Sequence, residues 1–197
     1  LDARYTEKLP MRLARNTAVD ALAHALEGYL STKATPMGTL FAREVFRIFA
    51  KNHDALLGES LTLVQREELL LNAAYAGIVI AQERTLALHT ISYPLTAIKG
   101  VQHGAAVGLP MAAYVELCYP GAKERIDEML HIMGLSSVNE LYGYIGCLLA
   151  DENTYTEEEL HEFAAISGKA AAAKSNPVPV DHEAVLWMYR RSLNMEK

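Results

Sequence analysis

Apolar residues recur at intervals of three and four along most of this chain, and no stretch alternates them at every second position for long enough to build a sheet. A helix has 3.6 residues per turn and a strand has two, so this spacing commits the chain to an all-α fold. The pattern marks a first helix from Met11 to Leu30, with Pro10 at its start, where a missing N–H has no partner to lose. After a loop from Ser31 to Pro36, Thr39 is expected to cap a second helix ending near Leu57, and Ser60 a third that fades near Gln82. Ile78-Val79-Ile80 is β-branched but continues a helical face. Residues 85–104 hold Pro94, Gly100, Gly104 and two histidines, and read as a broken apolar segment entering the interior rather than as one helix. A helix from Ala105 to Cys118, bent at Pro110, should follow, then three shorter ones over 121–133, 137–149 and 156–166. The last of these opens on Thr156 and Glu159 at capping-box spacing. Ala170–Ala173 leads into Ser175-Asn176-Pro177, which interrupts the chain before Asp181 caps a final helix to about Asn194.

Of the 197 residues 51% are hydrophobic, enough to bury the core of a single helical domain over residues 1–197. The net charge of −6 argues against nucleic acid as a partner. The uncharged run Leu69–Gln82 falls short of the roughly 20 residues that a membrane helix needs, and the chain's first residues do not read as a basic stretch followed by an apolar signal core. Cys118 and Cys147 lie in apolar stretches without a CxxC pair, and read as two buried free thiols in a reducing cytoplasm, with a disulfide between them left open.

Two groups of residues carry chemistry. Asp20 and His24 stand four apart on the first helix and therefore share a face, roughly 5–6 Å between Cβ atoms. A carboxylate and an imidazole at that spacing can hold one metal ion, although taken alone the spacing more often marks a plain surface pair. His89 and His103 fall in the broken apolar segment. Leaving a buried polar group without a partner costs about 1–3 kcal/mol, and a shared metal would satisfy both imidazoles. Glu27, three residues after His24, is placed either to orient it or to make an ordinary helix contact. His53, His131, His161 and His182 lie among charged or ordinary helical positions and read as surface or structural.

Asp20-Ala-Leu-Ala-His24-Ala-Leu-Glu27-Gly-Tyr29-Leu-Ser31 resembles the first metal motif of the iron-containing (group III) alcohol dehydrogenases. His89-Thr-Ile-Ser-Tyr93-Pro94-Leu95, continued to His103-Gly104, resembles the second, with the same His, Pro-Leu and His-Gly order. Leu9-Pro10 and Ser175-Asn176-Pro177-Val178-Pro179 match the family's lead-in and its Asn-Pro segment, so the resemblance spans nearly the whole chain.

The resemblance implies a helical catalytic domain in which Asp20, His24, His89 and His103 ligate one divalent ion, Fe2+ or Zn2+. That ion would act as a Lewis acid on the oxygen of a small-molecule alcohol or aldehyde. Hydride would pass to NAD or NADP, held by a nucleotide-binding domain that precedes the metal domain in the family. This chain carries no GxGxxG turn after a strand, so that half is expected to be missing from it. The helical face meant for the missing half would be exposed and would favour a homo-oligomer. Two departures stand out. Tyr93 occupies a position where many members carry a relay histidine, and either takes over as the catalytic proton relay or packs; Gln102 stands where Pro is common before His103. Two other classes fit a helical domain of this kind: a non-enzymatic metal-binding remnant, and a non-redox metal enzyme of the dehydroquinate synthase type.

Overall fold

The computed structural model describes residues 1–195. A 3-10 turn over Ala3–Thr6 leads into α1, Met11–Leu30, whose N-cap is Pro10. The expected start of the second helix moves forward. Thr35, in extended conformation, accepts the Gly38 N–H, and Pro36 fills the first position of α2, Pro36–Leu57. Thr39 lies inside that helix, because a proline that lacks an N–H is an easy first residue. Thr62 replaces Ser60 as the cap of α3, Leu63–Glu83, since Gln65 three residues on completes a capping box with it.

The segment expected to be irregular is two helices. In α4, Ala87–Ala97, Pro94 is accommodated in the last turn, and Gly100 at φ 70° turns the chain toward α5, His103–Gly108. Pro110 separates α5 from α6, Met111–Ile132, rather than bending one helix. α6 runs through Pro120 with a kink at Ala122 (φ −143°), so the two helices expected over 105–118 and 121–133 are divided at a different place. α7, Val138–Gly146, is capped by Ser137, and α8, Glu157–Ala172, by the Thr156–Glu159 box. α8 absorbs Ala170–Ala172, and Asp181 caps α9, His182–Ser192, by accepting the Ala184 N–H. Among the described residues the only β pairing is an isolated bridge between Tyr155 and Met195.

One continuous apolar core draws on all nine helices of the described residues. α1 lies at its centre, against α2, α3 and α5, while α4 packs on α8 and α8 on α9. Gly28 of α1 meets α3 so closely that any Cβ would overlap Val79. No helix among the described residues is long and apolar enough to cross a membrane. Cys118 is buried and free as expected, but Cys147 is free and exposed, because α7 ends beside it at the surface.

Candidate metal centre

α1 carries Asp20 and His24 on the face that meets α4 and α5. His89 lies in the first turn of α4, and His103 is the first residue of α5. α4 has no side-chain cap of its own. Asn176, from the segment between α8 and α9, supplies an acceptor for the Ala87 N–H and also receives the Tyr114 hydroxyl. The Asn-Pro segment is thus tied to the turn of helix that carries His89.

The tertiary structure brings together all four residues expected as ligands. Asp20 Oδ1 lies 3.3 Å from His89 Nε2 and 3.5 Å from His103 Nε2, and one donor atom from each of the three falls within 4.8 Å of the others. His24 stands beside this trio. Its Nδ1 is 3.8 Å from the other Asp20 oxygen, and its ring stacks on His89 with centroids 4.2 Å apart.

Glu27 is fully buried, yet it does not orient His24. Its carboxylate accepts the His89 N–H at 3.1 Å and His89 Nδ1–H at 2.6 Å, which leaves Nε2 toward Asp20. Positions 20, 24 and 27 share one helix face, and that spacing was the available signal; the partner, 62 residues on, was not readable from it. Asn16, one turn before Asp20 and hydrogen-bonded to Gln102, was missed altogether.

Burial disfavours charge on His89, but hydrogen bonds to Asp20 and Glu27 outweigh it and push the imidazole up to about 9. Burial likewise opposes ionisation of Asp20, yet the His89 hydrogen bond and the neighbouring imidazoles hold its carboxyl below the usual range. Burial first, and then the charge of His89, lower His24. A carboxylate and imidazole nitrogens converging on one point, with a tautomer fixed from behind by Glu27, suit a divalent transition ion.

Tyr93 follows His89 by one helical turn and is 56% exposed, so within these residues it does not pack into the core. His53 is buried, with Nε2–H donating to the Tyr144 carbonyl at 2.8 Å, and His161 and His182 stack near the surface. These three and exposed His131 are structural or surface residues, as expected.

Residues 14–193 match the family described as Fe-containing alcohol dehydrogenase family, C-terminal. The chain belongs to this family. It is 24% identical to the probable alcohol dehydrogenase EutG of Escherichia coli, over 96% of this chain and 50% of that protein. It is 25% identical to the 4-hydroxybutyrate dehydrogenase of Clostridium kluyveri, over 95% of this chain and 55% of that one. The iron-containing alcohol dehydrogenase of Thermotoga maritima superposes with a TM-score of 0.86 at 32% identity, covering 98% of this chain and 52% of that one. The chain therefore spans about half the length of the curated relatives it matches. The all-α domain of the Fe-containing alcohol dehydrogenases is thus its fold.

Proposed function

We propose that this chain is the metal-holding part of an NAD(P)-dependent dehydrogenase that interconverts an alcohol and an aldehyde or ketone. The observation that carries the reading is the convergence of Asp20, His89 and His103 on one point, with His24 beside them. These four residues are assigned as ligands of one divalent ion. Membership of the Fe-containing family, and the likeness to the iron-containing enzyme of Thermotoga maritima, favour iron over zinc, which the ligand types alone leave open. When bound, the ion supplies Lewis-acid polarisation of the substrate oxygen.

Glu27 holds His89 with Nδ1 protonated and Nε2 toward Asp20. Tyr93, exposed one turn from His89, is assigned the transfer of a proton between the substrate oxygen and water. Hydride transfer needs a nicotinamide held with reacting atoms at about 3–3.5 Å. We assign that task to a nucleotide-binding domain in the half of the relatives' length that this chain does not span. Two free thiols, one of them exposed, fit a reducing cytoplasm. α3 exposes Val64, Leu71 and Ile78 at seven-residue spacing, which favours a homo-oligomer through that face.

His103→Ala tests the ligand assignment. His103 has a half-exposed side chain, so the helical signal should persist while the ion is lost. Elemental analysis that finds unchanged metal content in this variant overturns the assignment.

A further inference from the structure

His89 and His103 are held in different ways. Glu27 fixes the ring of His89 from behind, whereas the His103 side chain is 45% exposed, with Nε2 3.5 Å from Asp20 and its ring tilted against His89 at 5.5 Å between centroids, and no carboxylate holds it from behind as Glu27 holds His89. The position of His103 therefore depends on its backbone. That backbone belongs to α5, a six-residue helix whose N-cap residue, Gln102, makes no side-chain bond to the helix it opens. So short a helix has little stability of its own.

The Gln102 side chain is used elsewhere. Its Oε1 accepts Asn16 Nδ2–H at 2.5 Å, across 86 residues of sequence. Asn16 is 4% exposed and stands on α1 one turn before Asp20. On the other side of His103, Gly104 lies so close to α1 that any Cβ would overlap the carbonyl oxygen of the same Asn16. The residue before His103 is thus bonded to the Asn16 side chain, and the residue after it rests on the Asn16 backbone.

We infer that Asn16 and Gln102 are positioning residues that clamp the start of α5 to α1 and set the distance between His103 Nε2 and Asp20 Oδ1. The inference rests on the assignment of His103 and Asp20 as ligands. Donors to a metal must be placed to within a few tenths of an ångström, and residues that orient them typically change metal affinity by about 10–100-fold. Asn16 holds its acceptor from a helix fixed in the core, so the clamp transfers the rigidity of α1 to an exposed ligand.

The test is a Co2+ titration of the chain followed by visible absorption. Gln102→Met keeps the side-chain length and removes the acceptor, and Gln102 is exposed, so the fold should be retained. Affinity should fall by about tenfold. Asn16→Ala should do the same, and the double variant should be no worse than either single one. In a His103→Ala background, Gln102→Met should have no further effect, which a general loss of stability would not reproduce. Wild-type affinity in Gln102→Met overturns the clamp, as does equal weakening with and without His103. If His103→Ala alone leaves Co2+ affinity unchanged, or the wild-type chain takes up no Co2+, the ligand assignment itself falls and the clamp with it.

Discussion

Glu27 Oε2 lies 2.6 Å from His89 Nδ1, and both residues are buried. This bond joins the last turn of α1 to the first turn of α4 and fixes which imidazole nitrogen faces Asp20. Charge-assisted bonds of this length are among the stronger ones in proteins. Glu27→Gln keeps the volume and removes the charge. It should weaken metal binding by about 10–100-fold with the helical circular dichroism intact. A Co2+ titration indistinguishable from wild type would reduce Glu27 to a packing role.

Tyr93 is checked in an enzyme that carries both halves. If it relays the substrate proton, Tyr93→Phe should lower turnover by about 10²–10⁴-fold and change its pH profile. Metal content and Tm should not move, because the side chain is exposed. Wild-type turnover across the pH range would remove Tyr93 from the reaction.

The 197-residue chain by itself, loaded with metal, should show no alcohol-dependent reduction of NAD or NADP. The assigned ligands position only the oxygen end of a substrate. Measured turnover above background with primary alcohols, diols or hydroxy acids would place a nucleotide site within these residues.

Glu128 receives Arg43 through two hydrogen bonds, at 2.7 and 2.9 Å, and the Tyr29 hydroxyl at 2.5 Å. The Arg43 and Tyr29 bonds hold its carboxyl below the usual 4.5. A lowered folded-state pKa means stability that is present above the unfolded value and is lost as pH falls through the folded one. The Tm advantage of wild type over Glu128→Gln should therefore be constant above about pH 5 and shrink as the solution is made more acid. Thermal melts at several pH values give the answer, and a difference that stays the same at acid pH contradicts it.

The two thiols should react at very different rates. Burial pushes the Cys118 thiol up to about 12, whereas Cys147 is exposed. In native buffer a thiol reagent should label one cysteine, and Cys147→Ser should abolish that labelling. Mass spectrometry that finds Cys118 modified without denaturant would contradict its burial.

The helical class, the approximate extent of α1, and the caps at Thr156 and Asp181 were legible in the sequence, because periodicity and capping act within a few residues. So was the pairing of Asp20 with His24, which needs only 3.6 residues per turn. Thr39 and Ser60 were read as caps because each is a good capping residue. Pro36 and Gln65 decided in favour of Thr35 and Thr62, and these are still local signals.

Other features lay outside anything local. Glu27 meets His89 across 62 residues and Asn16 meets Gln102 across 86. Helical spacing shows that Glu27 and Asn16 lie on the Asp20 face of α1, but it does not say which helix will cover that face. The covering is settled by close approaches such as Gly104 on Asn16, and by Asn176 anchoring the start of α4. The amino-acid sequence by itself therefore determined the helical class and which carboxylate and imidazole side chains are candidate donors. Their convergence on one point was decided only by the packing of α4 and α5 on α1, because short-range periodicity carries no information about contacts between segments distant along the chain.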